Sequence, residues 1–80
     1  MDFKKIAKLI YFHRKKAELS RNELANLAVV GKTVVFDIEH GKETIQFQSL
    51  AKVCAVLNIS MRFDSPLMQE FSLSNAKVEI

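Results

Sequence analysis

The sequence of 80 residues has little of what several classes of protein require. It has one cysteine, Cys54, so no disulfide can form within the chain. Its two glycines, Gly31 and Gly41, do not make a phosphate-binding glycine loop. No apolar run approaches the ~20 residues of a membrane helix or the ~7–15 residues of a signal-peptide core. We therefore expect a cytoplasmic protein that does not enter a membrane.

Catalytic and metal-binding patterns are missing as well. His13 and His40 lie far apart, and no cysteine or carboxylate set has metal-ligand spacing with them. Asp37 and Glu39 lie close together on a predicted helix but point to different faces, so they are not a catalytic carboxylate pair. We expect no metal, no cofactor, no small-molecule substrate and no enzymatic activity.

Charge is distributed unevenly along the chain, whose formal net charge is +3. Residues 1–21 contain Asp2 and Glu18 as their acidic residues, against the basic residues Lys4, Lys5, Lys8, Arg14, Lys15, Lys16 and Arg21. This end of the chain is the expected face for phosphates, although a solvated first helix explains the charges equally well. The length allows one domain, and a domain this small is often marginal alone, for which pairing with a second copy is one common remedy.

Hydrophobic periodicity and capping signals predict four helices, over residues 2–17, 21–28, 32–39 and 46–57. Ser20 and Glu23 make a capping box before the second helix, Gly31 can cap the third, and Gly41 ends it. The fourth helix has an apolar face made of Phe47, Leu50, Val53, Cys54 and Leu57. We expect these faces to meet in one core.

Residues 59–64 alternate between apolar and polar, which predicts a strand with Ile59, Met61 and Phe63 on one side. A lone strand is unstable in water, and this chain offers it no partner. The simplest completion is the same strand of a second copy, paired across a two-fold axis. We therefore expect a domain over 1–64 that ends in a dimerisation strand, followed by a tail over 65–80 with no assigned structure.

Residues 19–42, LSRNELANLAVVGKTVVFDIEHGK, contain two short predicted helices joined by a tight turn. Such a pair can set its second helix into the major groove of DNA. The segment resembles the Cro/C1-type helix-turn-helix family at Leu19, Ser20, Leu24, Ala25, Val30, Val35, Ile38, Glu39, Gly41 and Lys42, and with its flanking helices the resemblance covers residues 6–63. It implies an all-α, lambda-repressor-like domain of four to five short helices, followed by a short C-terminal strand.

Three residues depart from the family pattern and bring the turns into question. Glu18 and Val29 stand where the family often has glycine, and a β-branched residue at positive φ is costly. Gly31 replaces the usual Ser or Thr cap of the third helix, which weakens the helix start.

The resemblance also implies which side chains meet DNA. The base-contacting residues are Lys32, Thr33, Phe36 and Asp37, with Val34 as an additional candidate. The phosphate-contacting residues are Arg21, Asn22 and Lys42, and the family's buried structural ion pair corresponds to Arg14 and Glu39. The alternative for Phe36 is that it covers core or dimer surface, and the alternative for each phosphate candidate is a solvated side chain.

The second half, VGKTVVFDIEHGKETIQFQSLAKVCAVLNISMRF, is similar to the HipB-like branch, in which the fourth helix runs directly into a strand. This similarity implies a repressor that binds double-stranded operator DNA as a homodimer and, as an antitoxin, binds a HipA-like kinase toxin. Two alternatives remain: a phage-type regulator without a toxin partner, and a protein-interaction module that restrains a partner enzyme.

Overall fold

The structure, a computed structural model, describes residues 2–75, with side chains described through residue 72. The helices in this part are α1 (Phe3–Lys16), α2 (Arg21–Ala28), α3 (Lys32–Glu39), α4 (Phe47–Val56) and α5 (Met68–Asn75). The first four agree with the predicted segments to within one residue at either end, and the helical class is confirmed for the described residues. The fifth lies in the tail to which the sequence pattern assigned no structure. No helix in this part is long and apolar enough to cross a membrane.

Side-chain caps begin the first two helices. The Asp2 carboxylate accepts hydrogen bonds from the backbone N–H groups of Lys4 at 3.0 Å and Lys5 at 3.1 Å. The predicted capping box precedes α2, where Glu23 N–H donates to Ser20 Oγ at 3.0 Å and Ser20 N–H donates to Glu23 Oε1 at 2.9 Å. These bonds pair N–H groups that a helix start otherwise leaves without an intrahelical partner, so both starts are determined locally.

The first four helices end in the same way. Each is followed by one residue in the left-handed conformation: Glu18 (φ 58°), Val29 (φ 55°), Gly41 (φ 73°) and Asn58 (φ 58°). After each of these residues, the next N–H donates to a carbonyl five positions earlier, which is the Schellman pattern. Glycine and asparagine accept this conformation readily, whereas glutamate and valine do so at a cost. The turns at Glu18 and Val29 therefore form with backbone strain.

The core lies among the first four helices. α1 packs against α3, and α2 packs against both α3 and α4. The largest fully buried side chains are Ile10, Leu24, Val35, Ile38 and Val53. Burying a side chain of this size stabilises a fold by roughly 1.5–3 kcal/mol. This cluster therefore holds α2 and α3 in one relative orientation.

The side of the domain formed by α1 and α4 differs from expectation in two respects. Phe47 belongs to the apolar face of α4, yet it is 53% exposed. Residues 59–65 form neither helix nor strand in the described chain. Because a strand needs a neighbour for its ladder of hydrogen bonds, pairing of residues 59–64 with a second copy stays a prediction.

Candidate nucleic-acid interface

The third helix presents its early residues to solvent. Val35 and Ile38 are buried in the core, which fixes the rotation of α3 about its axis. Lys32, Thr33 and Phe36 are consequently exposed on the outer side of the same helix. In a helix-turn-helix unit, the early residues of the second helix are the ones that reach base edges in the major groove.

An open cleft of about 710 Å³ lies where the end of α1 meets the starts of α2 and α3. It is lined by five of the residues that the sequence assigned to DNA: Arg21, Asn22, Lys32, Thr33 and Phe36. Three predicted base-contacting residues and two predicted phosphate-contacting residues thus meet on one surface. A basic concave surface of this kind can hold a negatively charged backbone while the helix beside it contacts bases.

Arg14 and Glu39 form a buried ion pair that supports this surface. Arg14 Nε lies 2.6 Å from Glu39 Oε2 and Arg14 Nη2 lies 3.0 Å from Oε1, while Nη1 donates to the Leu19 carbonyl at 2.9 Å. The two side chains are 7% and 1% exposed. The hydrogen bond to Glu39 raises the pKa of Arg14, against the lowering effect of burial. The pair ties the end of α1 to the end of α3, so its role here is structural.

Arg21 has partners within the protein, although the resemblance assigns it to a phosphate. Its Nε donates to Glu39 Oε1 at 3.1 Å, so one buried carboxylate serves two arginines. Its guanidinium carbon also lies 5.5 Å from the centre of the Phe36 ring. The side chain is 41% exposed, which leaves its outer N–H groups within reach of solvent or DNA.

Phe36 does not cover the core, because it is 47% exposed. Its ring stacks on that of His40 with 3.8 Å between centroids and 22° between planes. His40 is held in turn by its Nδ1, which lies 2.7 Å from the carbonyl oxygen of Phe36. The Phe36 ring therefore stands at the rim of the cleft with neighbours that restrict its orientation.

Asp37 and Lys42 lie outside the cleft. Lys42 Nζ is 3.4 Å from Asp37 Oδ2, and both residues line a separate hollow of about 270 Å³. Exposed pairs of this kind stabilise a protein by about 0–1 kcal/mol. The structure thus separates these two predicted DNA contacts from the other five and pairs their charges with each other.

Two residues that the sequence did not single out also line the cleft. They are Tyr11 and Lys15, from the second half of α1. Lys15 Nζ lies 5.9 Å and the Arg14 guanidinium carbon 5.4 Å from the centre of the Tyr11 ring. The basic stretch of residues 1–21 was the available signal, but it does not show which lysines lie beside α3, because that depends on how the helices pack.

The three residues of the predicted dimerisation strand line a different depression. Ile59, Met61 and Phe63 surround an apolar groove of about 220 Å³ together with Leu9 of α1 and Phe47 of α4. Met61 is 38% exposed and Phe63 is 74% exposed. No residue is shared between this groove and the cleft, so both can be occupied at once.

The described residues offer few other groups that could bind a metal or act as a nucleophile. No group of three or more His, Cys, Asp or Glu side chains in this part of the chain is placed to hold a metal ion. Cys54 is a free thiol whose pKa is raised by its burial in the core, which makes it a poor nucleophile.

The family comparison agrees with this geometry. A helix-turn-helix family model matches residues 10–63, which is more than half of the chain. The match and the cleft define a DNA-binding regulator of transcription. The chain belongs to the helix-turn-helix family, of the Cro/C1 type.

A comparison with solved structures adds detail about the fold alone. A solved structure named "MDT Protein" superposes with a TM-score of 0.73 at 15% sequence identity, over 82% of this chain and 93% of that one. At that identity the likeness shows a shared fold. No curated protein matches this chain significantly.

Proposed function

We propose that this protein is a sequence-specific transcriptional repressor that binds palindromic operator DNA as a homodimer. The observation that carries the proposal is the basic cleft, in which Arg21, Asn22, Lys32, Thr33 and Phe36 meet beside the exposed face of α3. We further propose that it is the HipB-like antitoxin of a toxin-antitoxin operon and binds a HipA-like kinase toxin. This finer assignment is supported by the similarity of residues 30–63 to the HipB-like branch.

In this proposal α3 enters the major groove of DNA. Lys32 donates to guanine O6 and N7, Thr33 bonds a base edge, and Phe36 packs on a thymine methyl group. Asn22 and Lys15 lie at the edge of the same cleft and bind phosphates, which position the protein without selecting a sequence.

The homodimer places two such cleft surfaces on one operator. The apolar groove around Phe47, Met61 and Phe63 supports this step, since exposed aromatic and aliphatic side chains gain by being covered. A second copy with paired 59–64 segments would cover them. Two recognition helices then contact half-sites roughly 34 Å apart, one turn of DNA.

The test is binding of the purified protein to the DNA just upstream of its own gene, compared with random DNA, at two salt concentrations. We expect preferential binding with a footprint of two symmetric half-sites. The logarithm of the binding constant should fall with the logarithm of salt by about 0.9 per phosphate neutralised. Equal binding to both DNAs would contradict the repressor proposal for that operator.

A pair of lysine variants sharpens this test. Lys32→Ala should weaken binding to the preferred site more than binding to random DNA, because it removes a base contact. Lys52→Ala is the matched control, since Lys52 is an exposed lysine of α4 outside the cleft. If Lys32→Ala and Lys52→Ala behave alike, Lys32 does not contact bases.

A second candidate function is a module that binds and restrains a partner enzyme. It is favoured by the exposed apolar residues at the start of the tail, where Leu67 is 63% exposed and Phe71 is 55% exposed. Deleting residues 67–80 separates the two functions, using as ligands the operator DNA and the kinase encoded by a neighbouring gene. If DNA binding survives while kinase binding fails, the tail serves the partner. If both survive, the tail has no part in partner binding. If no kinase gene lies beside this one, a phage-type regulator is favoured instead.

A further inference from the structure

The contacts of Arg21 do not match those expected of a simple phosphate clamp. Its Nε is committed to Glu39 Oε1 at 3.1 Å, and its guanidinium lies 5.5 Å from the centre of the Phe36 ring. This Nε–H is therefore not available to a phosphate, and the position of the guanidinium is set by contacts within the protein. Arg21 has two partners on α3, one of them exposed in the DNA-facing cleft.

The carboxylate that holds Arg21 is immobile. The Glu39 side chain is 1% exposed and is bonded through both oxygens to Arg14, with an Nε–Oε2 distance of 2.6 Å. Arg14 is itself buried and bonded to the Leu19 carbonyl at 2.9 Å. The position of the Arg21 guanidinium is therefore set by the core of the domain rather than by solvent.

Phe36 is the residue that this arrangement constrains. The ring is 47% exposed, and a half-exposed side chain on a helix ordinarily samples several rotamers. Here it meets the guanidinium of Arg21 and stacks on His40 at 3.8 Å. A planar guanidinium can pack against an aromatic ring, whereas the ammonium of lysine is a strongly hydrated point charge that packs less well.

We propose that Arg21 is a positioning residue, which holds the Phe36 ring so that it selects a thymine through its 5-methyl group. This inference rests on the proposed function, because it requires that α3 contacts bases. It assigns the sequence preference at one base pair to the unit Glu39–Arg21–Phe36, in which Phe36 makes the contact with DNA and the other two residues set its orientation.

The experiment begins by selecting preferred duplexes from a random pool with the wild-type protein. Binding is then measured on the selected site and on the same site with single thymines replaced by deoxyuridine, which lacks the methyl group. At the thymine that Phe36 contacts, replacement by deoxyuridine should weaken binding of the wild type about fourfold, which is the effect expected from removing one buried methyl group. Phe36→Ala should abolish that difference.

Arg21→Lys distinguishes positioning from phosphate binding because it keeps the charge. If Arg21 positions Phe36, this variant loses the thymine-to-deoxyuridine difference while its salt dependence stays that of the wild type. The double variant Arg21→Lys, Phe36→Ala should then show the same ratio of thymine to deoxyuridine binding as Phe36→Ala alone. Lys52→Arg is the control for a charge-conserving exchange, since Lys52 is exposed on α4 outside both the cleft and the apolar groove and should leave both readouts unchanged. In the free protein, the ring-proton signals of Phe36 should shift in Arg21→Lys and not in Lys52→Arg.

Three outcomes would overturn the inference. If Arg21→Lys keeps the wild-type discrimination, the ring does not depend on the guanidinium. If Arg21→Met lowers the salt slope by about 0.9 with discrimination intact, Arg21 is a phosphate contact. If the wild type selects no sequence from the pool, the proposed function fails and this inference fails with it; the first two results leave the proposed function standing.

Discussion

The turn between α2 and α3 offers a direct test of backbone strain in this domain. Val29 ends α2 at φ 55° and ψ 52°, in the left-handed region. Its N–H bonds the Asn26 carbonyl at 3.3 Å, and the next N–H bonds the Ala25 carbonyl at 3.0 Å, so the conformation is enforced by the Schellman pattern. We predict that Val29→Gly stabilises the protein.

The magnitude follows from two opposing effects. The left-handed conformation costs an L-residue roughly 1–2 kcal/mol, and β-branching places valine toward the upper end. About 0.4–1 kcal/mol of this gain is offset, because glycine gives the unfolded chain more conformational entropy, which is lost on folding. Val29 is 79% exposed, so little apolar burial is lost. The free energy of unfolding should rise by about 1 kcal/mol, which corresponds to ~4–8 °C in Tm for a domain of this size.

Thermal and urea unfolding of four variants make the assay specific. Asn58 has nearly the same backbone angle, φ 58°, and is also exposed, so Asn58→Val should lower stability by about as much as Val29→Gly raises it. Glu18→Gly should raise Tm by less than Val29→Gly, since glutamate is not β-branched. Val29→Asn should lie between the wild type and the glycine variant. If Val29→Gly leaves Tm unchanged and Asn58→Val is harmless, the strain argument is refuted.

Three further predictions concern the ion pair, the helix cap and the dimer. Glu39→Ala should lower the free energy of unfolding by about 3–5 kcal/mol, because it leaves the buried Arg14 without its carboxylate; a loss under 1 kcal/mol in urea unfolding would contradict this. The hydrogen bonds from the backbone and side chain of Ser20 lower the pKa of Glu23 below its ordinary 4.5, so its stabilising effect is present above that value and is lost as the pH falls through the lowered pKa. The Tm difference between the wild type and Glu23→Ala should therefore shrink below about pH 4, and a constant difference from pH 7 to 3 would contradict the capping role. Phe63→Asp should weaken self-association in sedimentation equilibrium by at least tenfold, whereas unchanged association would place the dimer contact elsewhere.

Much of the fold follows from local signals in the sequence. The starts of α2 and α3 and the end of α3 coincide with the Ser20–Glu23 capping box, with Gly31 and with Gly41, each within one turn of the residues it affects. Apolar periodicity placed Val35 and Ile38 inward, and this alone turns the opposite face of α3 outward. Helix position and helix rotation were therefore predictable before any packing was known.

The composition of the candidate site was only partly predictable. Lys32, Thr33 and Phe36 follow from the rotation of α3, and they lie in the cleft as a group. Tyr11 and Lys15 join them because the second half of α1 packs near the start of α3. No local sequence pattern encodes where along their lengths two helices pack. Among the many basic side chains of α1, charge alone could not distinguish Lys15 from its neighbours.

By itself, the sequence determined the first four helices, the helix-turn-helix motif and the family. Tertiary structure decided the partner of Arg21, which bonds Glu39 of α3, and it placed Lys42 and Asp37 outside the cleft. The physical reason is that a helix depends on hydrogen bonds between neighbours in sequence. A long charged side chain, in contrast, bonds whichever opposite charge the packing of the core brings within about 4 Å.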